Sequence, residues 1–253
     1  MARLEIRGLS LRFGGVSALK DVSLSVADKA LCAIIGPNGA GKTSLLNCVS
    51  GLVRPQSGLV ILDGEDLTRL RPHQRARFGL SRTFQNLGLF KGMTVLENLL
   101  VGGHVHQRTG VLSGGLFLGR GRREELQKRE EAQQLLAFLE LGAHQRKLAG
   151  TLPYGLQKRV ELGRALALRP RLLLLDEPMA GMNGGEKEEL ARFILETNAR
   201  GTTIVMIEHD MGMVMDLSHR ICVLDFGEKI AEGTPEEIRS HPAVQAAYLG
   251  LAH

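Results

Sequence analysis

Two kinds of apolar pattern divide the chain. Near its start, Leu4-Glu-Ile-Arg7, Leu9-Ser-Leu-Arg12 and Asp21-Val-Ser-Leu-Ser-Val-Ala27 alternate apolar and polar residues, the period-two pattern of strands that bury one face. Ser57-Gly-Leu-Val-Ile-Leu-Asp-Gly64 repeats it between turn residues, so an antiparallel edge sheet is expected there. Elsewhere the runs are continuous: Ala30-Leu-Cys-Ala-Ile-Ile35, Arg171-Leu-Leu-Leu-Leu175 and Thr202-Thr-Ile-Val-Met-Ile-Glu208. Strands buried on both faces read this way, and a helical stretch over residues 186–199 separates the last two, which predicts a β-α-β unit in a parallel sheet. Residues 87–168 lack such strands and carry leucines at helical spacing, notably Leu126 and those of Gln133-Gln-Leu-Leu-Ala-Phe-Leu-Glu-Leu141. They are expected to form a helical subdomain inserted into an α/β core. No internal repeat or low-complexity linker interrupts the pattern.

Between the first continuous run and a helix-like segment, Thr43-Ser-Leu-Leu-Asn-Cys-Val49 with Gly51 as its stop, lies Gly36-Pro37-Asn38-Gly39-Ala40-Gly41-Lys42-Thr43-Ser44. This is a G-x-x-x-x-G-K-[ST] loop. Its glycines leave backbone N–H groups free to turn around phosphates, and the helix N-terminus behind them adds its dipole. In such a loop the lysine, here Lys42, reaches the β- and γ-phosphates of a nucleoside triphosphate and the hydroxyl of Thr43 ligates Mg²⁺.

Composition narrows this reading without naming a partner. With 253 residues and 43% hydrophobic content, the chain can bury a sizeable core as one large domain or a domain with a subdomain. No apolar stretch is long enough to span a bilayer and the start Met-Ala-Arg-Leu-Glu-Ile lacks a signal-peptide apolar region, so a soluble, cytosolic protein is expected. Cys32, Cys48 and Cys222 sit inside apolar runs without C-x-x-C pairing, which predicts buried, reduced thiols. The formal charge of +5 is mild, and the basic residues of Arg120-Gly-Arg-Arg-Glu-Glu-Leu-Gln-Lys-Arg-Glu-Glu131 are interleaved with acids. That pattern is a solvated helix face; no nucleic-acid partner is expected, while a membrane surface or an acidic partner loop stays open.

The run of four leucines ending in Asp176-Glu177 places both carboxylates at the C-terminal edge of a parallel strand, where open α/β sheets bind ligands. Asp176 is expected to hold Mg²⁺ and Glu177 to polarise the water that attacks the γ-phosphate. Leu152-Pro-Tyr-Gly-Leu-Gln-Lys-Arg-Val-Glu-Leu-Gly-Arg-Ala-Leu166, leading almost directly into that strand, resembles the signature region of ATP-binding cassette (ABC) ATPases. So do Gln85 in Arg82-Thr-Phe-Gln85 and His209 in Ile207-Glu-His-Asp210. Five motifs in the family's order, over nearly the whole chain, make the resemblance far more specific than any one of them.

The resemblance implies a single ABC ATPase domain over residues 1–253, with the helical subdomain at about 87–168 inserted in a P-loop core of mostly parallel sheet beside an N-terminal antiparallel β subdomain. It implies ATP and Mg²⁺ as cofactors. Phe13 resembles the aromatic that stacks on adenine, though a core phenylalanine fits as well. Gln85 resembles the glutamine that approaches Mg²⁺ and the attacking water, and His209 the histidine that contacts the γ-phosphate. Gly155, with the helix expected to begin near Leu156, resembles the glycine that faces a γ-phosphate held by another subunit. Leu112-Ser-Gly-Gly115 matches the opening of that signature better but lies far from the Asp-Glu strand with no helix behind it, and is read as a loop.

Three departures stand out. Pro153 replaces the signature serine and Leu156 the glutamine, which weakens the contact in trans, and Ala180-Gly-Met-Asn183 ends in asparagine where most members have aspartate. Pairing with a different ATPase is therefore expected, a homodimer remaining possible. The tyrosine before Gly155, the segment from Arg82 to Leu100, the stretch from Val111 to Arg129 and the ending Ala247-Tyr-Leu-Gly250 look like the ATPase of branched-chain amino-acid importers, a family that includes urea and short-amide importers. The resemblance implies a subunit peripheral to the cytoplasmic face of the cell membrane. Its implied partners are a second ATPase, two membrane-spanning permease subunits and, indirectly, an external substrate-binding protein. A non-transport ABC ATPase is the more distant alternative, since neither two cassettes nor a long coiled coil is present. The cargo itself rests on analogy.

Overall fold

A computed structural model describes residues 2–85, 87–103 and 120–249. The Leu112-Ser-Gly-Gly115 segment, Gly250 and Asn86 lie outside the described residues. In chain order the elements are β1 (Ala2–Phe13), β2 (Val16–Ala27), β3 (Leu31–Ile35), α1 (Lys42–Ser50), β4 (Ser57–Leu62), β5 (Glu65–Asp66), α2 (Pro72–Arg77) and β6 (Leu80–Arg82). There follow α3 (Val95–Gly102), α4 (Arg120–Phe138), α5 (Tyr154–Leu166), β7 (Leu172–Asp176), α6 (Gly184–Ala199), β8 (Thr203–Ile207), α7 (Met211–Leu217), β9 (Arg220–Asp225), β10 (Glu228–Gly233), α8 (Pro235–Arg239) and α9 (Pro242–Leu249). The described residues fall into two compact units, 2–85 with 171–181 and 191–249, and 87–103 with 120–170 and 182–190.

The first unit holds both sheets. An antiparallel sheet in the order β2-β1-β4-β5 contains the alternating segments, with Val22, Leu24 and Val26 of β2 buried and their neighbours exposed. The second sheet runs β10-β9-β3-β8-β7-β6, and every pairing from β9 to β6 is parallel. Every residue of β3, β7 and β8 is buried, as their unbroken apolar runs require. Truncating one of these leucines to alanine would cost about 2–5 kcal/mol in lost transfer energy and cavity. The three cysteines are free and buried as expected.

α1 ends at Gly51, whose φ of 80° closes the helix through a hydrogen bond from its N–H to Cys48 O. The other carbonyls of that end are met from outside the helix. Arg75, 1% exposed, donates to Cys48 O at 2.6 Å and Val49 O at 2.7 Å, and a Cβ on Gly51 would sit 2.6 Å from its Nε. Nothing in the spacing of Arg75 distinguishes it from the exposed arginines around it.

The second unit is helical among its described residues. Thr94 and Glu97 form a reciprocal capping box at the start of α3, and Asn98, wholly buried, bonds both the N–H and the C=O of Phe90. Gly163 lets α5 approach closely, for a Cβ there would meet Leu139 Cδ1 at 2.6 Å. Leu136, Leu139 and Leu141 are buried as their spacing predicts, whereas Leu126 is 58% exposed on the charged helix α4. A leucine amid so many charges has no apolar stripe to join.

Candidate active site

Four adjacent parallel strands deliver the singled-out segments to one edge of the sheet. β3 ends in the glycine loop, β7 in Asp176-Glu177, β8 in Glu208-His209, and β6 leads to Gln85. In the loop, Gly36, Gly39 and Gly41 have φ values of 146°, 83° and 100°. A Cβ at Gly36 would lie 2.0 Å from Leu224 O and one at Gly41 2.4 Å from Ala18 O, so the loop's rear packs against backbone that only glycine can approach. The first turn of α1 carries no acidic residue and no side-chain cap, which leaves its N–H groups and dipole for an anion. Lys42 folds back, its Nζ donating to Gly36 O at 2.7 Å and Pro37 O at 2.9 Å. Burial pushes its pKa down, against the pull of Glu177 and Asp176. A desolvated ammonium held only by carbonyls is a strong partner for phosphate. Thr43 is exposed beside it, and Asn38 and Gly39 are exposed at the loop's tip.

Asp176 is 2% exposed. Its Oδ2 accepts from Arg82 Nη2 at 2.7 Å, while its Oδ1 is buried with no hydrogen-bond partner among the described residues. A carboxylate oxygen so placed lacks a cation or donor. The Thr43 hydroxyl and the Gln85 amide oxygen would add the hard oxygen donors that Mg²⁺ takes, so the chemistry of these residues fits that ion.

Glu177 sits in the left-handed region, at φ 49°. Its N–H donates to Ile207 O at 3.0 Å and Ala180 N–H donates to its C=O at 3.2 Å, so the turn is pinned on both sides. Gln85 Nε2 donates to Oε2 at 3.1 Å, and His209 Nε2 stands 2.8 Å from Oε1. Because a carboxylate only accepts, that ring nitrogen carries the proton. Phe13 is 52% exposed, which rules out a core role. Gly155 lies in the second unit, in the first turn of α5, where a Cβ would meet Glu186 Oε1 at 2.6 Å. That helix begins at Tyr154, earlier than expected. Pro153 serves as its N-cap, and its carbonyl accepts the first helical hydrogen bond from Gln157 N–H at 3.0 Å.

Residues 19–180 match the family model for the ABC transporter domain. The chain belongs to the ABC transporter family. Residues 228–253 of this cassette also match the model of the branched-chain amino acid ATP-binding cassette transporter. The cassette is 46% identical over 250 residues to the high-affinity branched-chain amino acid transport ATP-binding protein BraF of Pseudomonas aeruginosa, covering 98% of each chain. It is 44% identical over 250 residues to the corresponding protein LivG of Escherichia coli strain K12, again covering 98% of each. Among solved structures, the ADP conformation of an ATP-binding cassette of an ABC transporter superposes with a TM-score of 0.86 at 35% identity, covering 99% of both chains. The α/β fold, the parallel core and the antiparallel sheet of this ATP-binding ATPase are those of its family.

Three polar residues of the cassette escape a reading by motif. Arg82 grips Asp176 from the strand beside it. Glu208, buried behind the site, accepts from Met179 N–H at 2.8 Å and His209 N–H at 3.1 Å. Burial pushes its carboxyl above the ordinary range despite those bonds. Burial raises the phenol of Tyr248 in α9, against an opposing influence of the Gly36 backbone. The sequence marks Glu208 and Tyr248 only by their adjacency to His209 and by the Ala247-Tyr-Leu-Gly250 ending.

Proposed function

We propose that this cassette is the ATP-hydrolysing subunit of an importer for branched-chain or other hydrophobic amino acids, peripheral to the cytoplasmic face of the cell membrane. Similarity along the full length, including the last residues matched at 228–253, carries the cargo assignment. A urea or short-amide importer is the alternative within the same family. We read residues 1–253 as one ABC ATPase domain with its helical subdomain at about 87–168.

The chemistry follows from side chains in place. Lys42 exchanges its two carbonyl partners for the β- and γ-phosphates of ATP, which the loop N–H groups from Gly36 to Ser44 enclose. Phe13 offers an exposed ring for the adenine. Thr43, Asp176 and Gln85 would hold Mg²⁺, which when bound neutralises charge on the phosphate oxygens. Glu177 orients and polarises the attacking water, so its carboxylate must first be released by Gln85 or His209. His209, freed from Glu177, can donate its Nε2 proton to the γ-phosphate. Gly155 is read as serving the ATP of a second cassette. With Pro153 offering neither hydroxyl nor N–H there, that second cassette is a different protein completing a pair with one impaired site. Two membrane-spanning permease subunits complete the assembly, served by an external binding protein. Among the described residues, no helix is long and apolar enough to cross a membrane.

The test is uptake of labelled leucine and of labelled urea in a strain lacking this chain, complemented by the wild type or by Glu177→Gln. Leucine uptake restored by the wild type alone supports the proposal. Restoration of urea uptake with leucine unaffected transfers the assignment to the alternative. The purified Glu177→Gln chain should keep its ATP affinity and lose hydrolysis by about 100-fold or more, within the range for loss of a general base.

A further inference from the structure

The hydrogen bonds around Arg82 point beyond the motifs. Arg82 is the last residue of β6, paired in register with Leu174 of β7. Asp176 lies two residues further along β7, and on a pleated sheet residues two apart share a face. The Arg82 side chain, 6% exposed, meets Asp176 there. Its Nη2 holds Asp176 Oδ2 at 2.7 Å, and its Nη1 donates to Asn47 Oδ1 and Ser50 Oγ, both at 2.8 Å. Asn47 and Ser50 belong to the last turns of α1, the helix that opens at Lys42.

We infer that Arg82 is a positioning residue that fixes Asp176 relative to the phosphate-loop helix, so that Oδ1 alone is presented to Mg²⁺. One carboxylate oxygen is claimed by the guanidinium and the other has no hydrogen-bond partner among the described residues, so the carboxylate cannot turn without breaking a buried charge-assisted bond. The planar fork does what a point charge cannot, since it spans Asp176 and α1 at once. The same strand leads to Gln85 three residues on, so one buried side chain sets the spacing of phosphate loop, metal carboxylate and glutamine. The inference rests on Asp176 being the carboxylate that holds Mg²⁺.

The test uses the full chain and a fluorescent ATP analogue, titrated with and without Mg²⁺, with thermal melts to confirm folding. Arg82→Met and Arg82→Lys should raise the Mg²⁺ concentration at half-effect by about 10-fold, the lower range for loss of a residue that orients a metal ligand, and leave Mg²⁺-free affinity within about 2-fold. Asn47→Ala, which loosens only the arm to α1, should give a smaller shift in the same direction and decides the matter if both arginine variants fail to fold. An unchanged or lowered Mg²⁺ midpoint, where Asp176→Asn shifts it, overturns the role of Arg82. Loss of Mg²⁺-free affinity in parallel also overturns it, in favour of a strut for α1. If Asp176→Asn leaves the midpoint unchanged, the metal reading of Asp176 fails instead.

Discussion

α1 and α5 each carry a glycine within a residue or two of their start, in a stretch that family resemblance assigns to phosphate, yet their starts are built differently. At α1, the glycines are fixed from behind: Gly36 and Gly41 have positive φ, and backbone carbonyls of Leu224 and Ala18 leave no room for a side chain. Nothing caps the front, and Lys42 is folded within reach of it. At α5 the start is a proline, no side chain caps it, and Gly155 is covered by the Glu186 side chain, whose carboxylate also accepts from Asn183 N–H. Gly155 has no positive φ to require it, so its glycine reflects the neighbour packed on it and not backbone strain. One helix start is a finished anion cradle. The other lacks a hydroxyl donor, and its glycine answers to a side chain that can shift and not to fixed backbone.

The largest test of this contrast is Lys42→Ala, expected to abolish nucleotide binding. The lost ammonium is desolvated and charge-matched to phosphate, and no other cation among the described residues is placed in the loop. An unchanged affinity for the fluorescent analogue would remove α1 from the site altogether. Next comes a matched pair of substitutions read by chemical denaturation. Gly41→Ala combines an unfavourable φ of 100° with a backbone carbonyl at 2.4 Å and should destabilise by about 3 kcal/mol. Gly155→Ala must displace the Glu186 side chain, whose Oε2 accepts from Asn183 N–H, but gains about 1 kcal/mol of helix propensity, so its net cost should stay about 1 kcal/mol or less. Equal costs at the two positions would break the comparison.

Much of this architecture was legible in advance because it depends on local pattern. The leucine run of β7, the alternation in β2 and the glycines of the loop each reflect a constraint that acts on neighbouring residues. Arg82, Arg75 and Glu208 were not legible, because their partners lie 94, 27 and 29 residues away and nothing in the surrounding arginines or glutamates sets them apart. The start of α5 was misplaced for a related reason. Proline, which breaks a helix in its interior, here supplies an extended N-cap whose missing N–H costs nothing. Leu126 shows the converse error, for spacing alone does not bury a leucine when its helix face is charged.

Pro153→Ser sharpens the contrast by giving α5 what it lacks. A serine N-cap should stabilise that helix by about 1 kcal/mol, and a hydroxyl at the signature should raise ATP turnover of the assembled transporter. Thermal melting reads the first effect and phosphate release the second. Turnover unchanged in the face of a stabilised helix would mean that the impairment lies in Leu156 or in the partner cassette.

The smallest effect concerns Glu208, which is buried behind the first unit's site. Its carboxyl is raised above the ordinary glutamate value of 4.5, first by burial. Between that value and its own, the folded chain retains a proton that the unfolded chain has released, so this group's contribution to stability falls as pH rises through the window. Glu208→Gln removes the titration and keeps an acceptor for Met179 N–H, while the bond from His209 N–H loses its carboxylate oxygen. The stability of wild type relative to Glu208→Gln, from urea unfolding, should therefore be greater at pH 5 than at pH 7.5. The opposite slope would show that the two backbone N–H bonds outweigh burial, and that the ionised carboxylate is the form the fold prefers beneath His209.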